Sequence, residues 1–352
     1  MSETPLPWNQ HGDTLGALLL ERERVSGDRP YVHLQEDGGG ETTLTFAEMA
    51  EAARRVAAGL QARGVKPGDR VLLVLPTGLD FLSAFYGTLL AGAVAVPCYP
   101  PARTKGLSDY QERLARLMAV ADPRLVLTFK RVRLLIEAAA FQARVPAPVI
   151  EPSSLEGGDF RPPAVGPDDM ALVQFSSGST SHPKGVRLSH RHLLANVASV
   201  LAVIRPTPQD VNCSWLPLYH DMGLIGGLLM PLFCGNPLVL LSPQGFLLDP
   251  KRWLWAIHRH RATISTAPNF AYHLLATRID PAEIEGLDLS SWRLALNGAE
   301  PVSPSTIEAF CQRMAPYGFA PEAMTPVYGL AEAALGAVFP MLGRGARFDR
   351  ID

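Results

Sequence analysis

Between Phe175 and Gly185 the chain reads Phe-Ser-Ser-Gly-Ser-Thr-Ser-His-Pro-Lys-Gly. Five small residues in a row, Ser176, Ser177, Gly178, Ser179 and Thr180, are followed by Lys184. Hydroxyls and free backbone N–H groups donate to anionic oxygens, and a glycine lets the backbone come close to them. Lys184 adds a positive charge between Pro183 and Gly185. This composition suits a loop that wraps phosphates. It is not a Walker A loop, which needs glycine where Pro183 stands and Ser or Thr where Gly185 stands.

A phosphate loop alone is chemically incomplete. ATP chemistry also requires a carboxylate for Mg²⁺, which takes one or two protein carboxylates plus phosphate oxygens. It requires a surface for the base as well. The run Pro326-Val327-Tyr328-Gly329-Leu330-Ala331-Glu332 offers both, an aromatic to stack on adenine in Tyr328 and a metal carboxylate in Glu332. The run Leu294-Ala295-Leu296-Asn297-Gly298-Ala299-Glu300-Pro301 reads as a strand entering a small-residue turn. Open α/β sheets present ligands at such carboxyl ends of strands. Trp215 to Gly223 sets His220 among aromatics ahead of an apolar helix.

The elements that must position these residues are legible. A helix is expected from Thr14 to Glu23, then strands Tyr31–Gln35 and Thr42–Leu44 around the Asp37-Gly38-Gly39-Gly40 turn. Thr45 and Glu48 form a capping box that opens a helix ended by Gly64. Arg70–Leu75 is a continuous apolar run typical of a strand buried on both faces. Alternating helices and strands continue to Leu127 and imply parallel pairing. Residues 146–168 are rich in Pro, Gly and Ser and read as a linker. The expected division is therefore 1–165 and 166–352, two α/β subdomains with mostly parallel sheets flanked by helices. In the second, Met170–Phe175 and Val186–Leu188 are strands around the loop, followed by a helix over Arg191–Val203.

Composition narrows the function classes. Of 352 residues, 47% are apolar and 19% charged, a globular balance. A net charge of −2 provides no global field for nucleic acid or anionic membrane. Cys98, Cys213, Cys234 and Cys311 lack metal-ligand spacing and read as reduced buried thiols of a cytoplasmic protein. Met222–Leu241 is free of charge but broken by prolines and glycines. It reads as two buried elements around a turn at Cys234–Pro237, not as a membrane span. His190 with His192, and His258 with His260, read as surface histidines without a ligand cluster. Trp253, Trp255 and Ile257 read as helix packing, and Arg259-His260-Arg261 as a solvated face. No Gly-x-Ser-x-Gly elbow points to a hydrolase.

Four stretches in this order and spacing resemble the adenylate-forming superfamily: 175–185, Tyr219-His220-Asp221-Met222-Gly223, Asn297-Gly298-Ala299-Glu300-Pro301 and Tyr328-Gly329-Leu330-Ala331-Glu332. Within it the chain is most similar to fatty acyl-AMP ligases. Ser181 stands where CoA ligases usually have glycine, and Pro268-Asn269-Phe270-Ala271-Tyr272 fits the same group. The resemblance covers essentially the whole chain and implies two steps. A fatty acid carboxylate attacks the α-phosphate of ATP to give acyl-AMP and pyrophosphate. The acyl group then passes to a thiol, the phosphopantetheine of an acyl carrier protein rather than CoA.

By motif, Ser176, Ser177, Gly178, Ser179, Thr180 and Lys184 would hold the β- and γ-phosphates. Gly298, Ala299, Glu300 and Tyr328 would line the adenine pocket, with Asn297, Gly329, Leu330 and Ala331 in the same nucleotide-binding set. Glu332 would bind Mg²⁺, and His220 would stand where the acyl tunnel meets the reacting carboxylate. The apolar helix Leu224–Leu232 and the stretch Pro268–Leu275 would wall the tunnel. Each motif has a plainer reading: a solvated serine turn, a core histidine at 220, a helix-start carboxylate at 332. For Glu300 the backbone is expected to matter more than the carboxylate.

Family members continue past the Tyr-Gly-x-x-Glu motif to a ribose-binding aspartate, a hinge and a mobile domain bearing a catalytic lysine. No stretch here matches these, so a truncated N-terminal piece with weak activity is expected. An acyl- or aryl-CoA ligase, and a non-catalytic acyl- or nucleotide-binding module, remain alternatives.

Overall fold

The computed structural model describes residues 12–101, 106–155, 157–175 and 183–349. In chain order the strands are β1 (Pro30–Gln35), β2 (Glu41–Thr45), β3 (Arg70–Val74), β4 (Val94–Pro97), β5 (Leu125–Thr128), β6 (Val149–Ile150), β7 (Met170–Phe175) and β8 (Gly185–Ser189). They continue with β9 (Asn212–Ser214), β10 (Leu238–Leu240), β11 (Ile264–Ala267), β12 (Leu294–Asn297), β13 (Met324–Pro326), β14 (Tyr328–Gly329) and β15 (Gly336–Val338).

The chain divides into two compact units, but not at residue 165. One comprises 7–29 and 45–194, the other 1–6, 30–44 and 195–352. Pairing explains the difference. β7, beyond the expected linker, joins β4 in the first unit's sheet, while β1 joins β10 in the second. The expected linker itself contributes β6, paired parallel to β5.

In the unit containing 45–194 the strand order is β6-β5-β3-β4-β7-β8. β3, β4 and β5 pair parallel and are buried almost throughout, as their apolar runs require. The Thr45–Glu48 capping box forms as expected and opens helix Phe46–Ala62, with Glu48 N–H donating to Thr45 Oγ1 at 3.2 Å and Thr45 N–H donating to the Glu48 carboxylate at 2.8 Å. Helix Leu79–Leu90 is buried at every position from Phe81 onward. It meets helix Phe46–Ala62 at Gly87, where a Cβ would lie 2.5 Å from the Val56 Cβ. β7 and β8, the strands expected on either side of the loop, form an antiparallel pair with Phe175 opposite Gly185.

The other unit has the order β13-β12-β11-β9-β10-β1-β2, parallel from β13 to β1. One face carries an aromatic core. Trp253 lies 5.2 Å from Trp292, and Phe310 lies 5.0 Å from both Tyr272 and Phe319, centroid to centroid. Two of the core's polar tips find partners: Trp253 Nε1 donates to Ser265 Oγ at 2.9 Å and Tyr272 O–H to the Leu296 carbonyl at 2.9 Å. Trp253 thus packs the core as expected. At the amino ends of the strands Arg293 grips Asp210 through two bonds of 2.8 and 2.7 Å. Burial would raise the Asp210 carboxyl, but hydrogen bonds from Arg293, Thr263 and the Thr207 N–H outweigh it and hold it below the usual range.

Two sequence expectations need correction. His190 is not at the surface: it is 1% exposed, and its Nδ1 accepts the Leu15 N–H at 3.1 Å. His260 does have ligand-type neighbours: its Nε2 lies 2.8 Å from a Glu41 oxygen, and its ring 4.8 Å from that of His33. The 222–241 expectation holds: Met222–Leu229 and Met230–Cys234 are buried helical turns, and β10 follows the bend. No described helix is long and apolar enough to cross a membrane.

Burial lowers the His190 pKa from 6.5 to about 4. Between these values the unfolded chain binds more protons than the folded one, so stability is full above pH 6.5 and falls as pH drops toward 4. The loss is on the order of 3 kcal/mol. Chemical denaturation at pH 7 and pH 4.5 tests this. The wild type should lose more stability than His190→Gln, which keeps a group able to accept the Leu15 N–H; equal losses would refute it.

Candidate active site

Parallel register sets where the site lies. Ala267 pairs with Asn297 and Asn297 with Pro326, so β11, β12 and β13 end level. The chain leaving each of them emerges at one sheet edge, the ligand edge of an open parallel sheet. A cavity opens there beside Thr266, Leu296, Ala299, Val327 and Tyr328, with His220 and Asp221 also on its wall. Three of the four motif stretches therefore meet in one place.

Glycines make the approach possible. A Cβ on Gly298 would stand 2.7 Å from the Val327 carbonyl oxygen, and the Val327 N–H donates to the Asn297 carbonyl at 2.8 Å. A Cβ on Gly329 would stand 2.1 Å from the Leu335 carbonyl oxygen, across the β14–β15 pair. Ala299 adopts φ +69°, a left-handed conformation that costs a non-glycine residue energy and recurs at ligand sites.

Side chains of the nucleotide-binding set fall into two groups. Tyr328 is 61% exposed at the cavity. Asn297 instead is fully buried: its amide reaches Asn269 Oδ1 at 3.4 Å, and Asn269 Oδ1 also accepts the Ser303 N–H at 3.2 Å. Asn297 therefore braces the turn rather than facing the cavity. The Glu300 carboxylate has a task of its own. It accepts the Phe270 N–H at 2.5 Å, in the first turn of helix Asn269–Arg278. Leu330 N–H donates to the Leu335 carbonyl at 2.9 Å and Ala331 is buried, so both shape the turn that carries the exposed Glu332.

His220 is about half exposed. Its Nδ1 lies 2.7 Å from Asp221 Oδ1, and Asp221 also accepts the Met222 N–H at 2.6 Å. His220 Nδ1 also accepts the Met222 N–H at 3.3 Å, so this edge of the imidazole is turned to Asp221 and the backbone of the following turn. After it, Met222–Leu229 winds as a π-helix, with Met230 N–H bonded to the carbonyl of Ile225. Such turns are rare and concentrate at functional sites. Met222, Gly226 and Met230 face the cavity while Leu224 and Leu228 are fully buried, so this helix does wall it. In the stretch Pro268–Leu275, Ala271, Tyr272 and Leu275 turn into the aromatic core.

Lys184 is exposed, directly before β8, and Gly185 is required because a Cβ there would lie 2.7 Å from Val173 Cγ1. Ser176, Ser177, Gly178, Ser179 and Thr180, and Ser181 with them, lie outside the described residues. Sequence reasoning missed Thr266, Asp221 and Asn196. Thr266 was detectable from its place near the carboxyl end of a parallel strand, and Asp221 from its adjacency to His220. Asn196, whose amide both donates to and accepts from the Gly336 backbone at 2.9 and 3.0 Å, left no sequence signal.

Comparison with known proteins agrees with this geometry. The family model described as AMP-binding enzyme matches residues 20–350. The medium-chain-fatty-acid–[acyl-carrier-protein] ligase JamA of Moorena producens is 38% identical, over 92% of this chain and 55% of its own length. The long-chain-fatty-acid–AMP ligase FadD26 of Mycobacterium marinum is 38% identical, over 96% of this chain and 60% of its own length. The crystal structure of a fatty acyl-adenylate ligase from L. pneumophila, in complex with acyl adenylate and pyrophosphate, superposes with a TM-score of 0.88 at 39% identity. That match covers 96% of this chain and 58% of the other. The chain spans between half and two thirds of the length of these relatives. With a family match over nearly its full length and three of the family's motif stretches gathered at one sheet edge, the chain belongs to the AMP-binding enzymes of the adenylate-forming superfamily.

Proposed function

We propose that this chain carries the acyl- and nucleotide-binding part of an ATP-dependent fatty acyl-AMP ligase. The observation that carries the reading is the meeting of Ala299, Tyr328 and the His220–Asp221 pair on one cavity at the carboxyl ends of β11, β12 and β13. In the proposed reaction a fatty acid carboxylate oxygen bonds to the α-phosphorus of ATP, and the bond to pyrophosphate breaks. A phosphopantetheine thiol of an acyl carrier protein then displaces AMP to give a thioester. The names of the similar ligases support a fatty acid substrate, and that of JamA supports the carrier protein as acceptor.

Phosphoryl transfer of this kind is positioning and charge neutralisation. In the proposed assignment Tyr328 stacks on adenine and the Gly298–Glu300 backbone lines its edge. His220, held by Asp221, orients the reacting carboxylate. Lys184 and the residues Ser176–Thr180 neutralise the β- and γ-phosphates. Glu332 offers one exposed carboxylate, a donor set that fits Mg²⁺, which would neutralise phosphate charge when bound.

Calorimetry with a non-hydrolysable acyl-adenylate analogue tests the pocket. Tyr328→Ala should weaken binding about 5- to 100-fold, the worth of one base–aromatic stack. Gly298→Ala, which forces the Val327 carbonyl aside, should weaken it and cost about 1–3 kcal/mol of stability. Unchanged affinity in both variants would place the nucleotide elsewhere.

Mass spectrometry of products tests the reaction. Incubated with ATP, Mg²⁺ and fatty acids, the full-length enzyme should form acyl-AMP, and acyl-carrier protein when a holo carrier protein is added. Efficient acyl-CoA formation instead would favour a CoA ligase, and ligand binding without acyl-AMP would favour a non-catalytic module. His220→Ala should lower the adenylation rate about 10- to 100-fold with little change in KM for ATP. Asp221→Asn should fall between it and the wild type. Equal rates in all three would remove His220 from the reaction.

A further inference from the structure

One cluster of metal-ligating side chains has no part in the proposed reaction. His33 stands on β1, Glu41 on β2, and His260 is the last residue of helix Lys251–His260. Their candidate ligand atoms all lie within 4.8 Å of one another. We propose that His33, Glu41 and His260 bind a late first-row divalent cation, with Zn²⁺ the ion best matched to the donors.

The two oxygens of Glu41 reach one imidazole each: Oε1 lies 3.3 Å from His33 Nδ1 and Oε2 2.8 Å from His260 Nε2. Two histidines and a carboxylate are a familiar Zn²⁺ donor set. With bonds of about 2.0–2.1 Å in tetrahedral geometry, neighbouring donor atoms stand about 3.4 Å apart. The two carboxylate–imidazole separations, 3.3 and 2.8 Å, fall at or somewhat below that value, so side-chain rotations that widen them would admit the ion. The side chains are mostly shielded, 19%, 31% and 18% exposed for His33, Glu41 and His260, which weakens competition from water.

The surroundings suit a cation. Gln35 Nε2 donates to Glu41 Oε2 and steadies the carboxylate, as outer partners of metal ligands do. Thr43 Oγ1, 3.0 Å from His33 Nδ1, would yield that nitrogen to the ion. The end of helix Lys251–His260 adds the partial negative charge of its last carbonyls. Glu41 also borders a cavity with Asp37 and Arg252, which brings water to the carboxylate. All three ligands sit on regular elements, so the ion would tie the edge strands to the helix end without reaching the adenylate edge.

Calorimetry with Zn²⁺ on the chelator-treated chain tests the site, with Co²⁺ absorption as a second probe. Expected are one equivalent of saturable binding, loss of that binding in Glu41→Gln and His260→Gln, and weakening of about 10- to 100-fold in Gln35→Ala. The thermal midpoint should rise with Zn²⁺ in the wild type and not in Glu41→Gln. Circular dichroism without metal checks that the variants fold, and His192→Gln should leave binding intact. Absence of saturable binding, or binding that survives both Glu41→Gln and His260→Gln, would overturn the proposal.

Discussion

The ligand edge depends on how closely two backbones can pass. Between Gly298 and the Val327 carbonyl, and between Gly329 and the Leu335 carbonyl, no room remains for a single methyl group. These approaches bring the turn after β12 against the chain leaving β13 and hold Tyr328 outward. Hydrogen bonds alone would not achieve this, because any side chain at either position would prise the segments apart before they formed. The left-handed Ala299 completes the turn at a cost that packed neighbours must meet.

Stability and ligand contact are placed at opposite ends of the same strands. At the amino ends, Asp210 accepts from Arg293, Thr263 and the Thr207 N–H. A nearly buried carboxylate is tolerable only when so fully paired, since losing one partner leaves a charge without compensation. That grip, with the aromatic core beside it, fixes the relative positions of the segments entering β9 and β12. The carboxyl ends are then free to carry exposed, conformationally costly groups. The same separation explains why Asn297 turned out to be a brace: it is the last residue of its strand and still belongs to the rigid side.

Local signals in the sequence translated well into structure. The capping box at Thr45 and Glu48, the doubly buried run of β3 and the broken apolar stretch from Met222 all depend on residues close in sequence, and all formed. What failed depended on distant partners. Nothing near His190 announces that Leu15 will donate to it, and nothing near His260 announces His33 and Glu41, more than two hundred residues earlier. The expected boundary at 165 failed similarly: a Pro- and Gly-rich stretch signals irregular backbone, not which sheet the next strand will join. At the site, the motifs identified which segments converge, while burial separated the facing residues from the bracing ones.

Tyr328 itself illustrates what such a site requires. It lies on β14, a two-residue strand paired antiparallel with β15, and a pair so short cannot hold itself in water. Asn196 supplies the missing support. Its side-chain amide donates to the Gly336 carbonyl and accepts the Gly336 N–H, the pattern a neighbouring strand would offer. One helix residue thus takes the place of an additional strand beside β15, and the Tyr328 ring on β14 stays exposed. Covering β14 with a true strand would satisfy more backbone groups but would bury the ring. The stacking role proposed for Tyr328 would need a ring anchored from behind through backbone bonds, and the Asn196–Gly336 clamp anchors the strand pair while leaving the ring exposed.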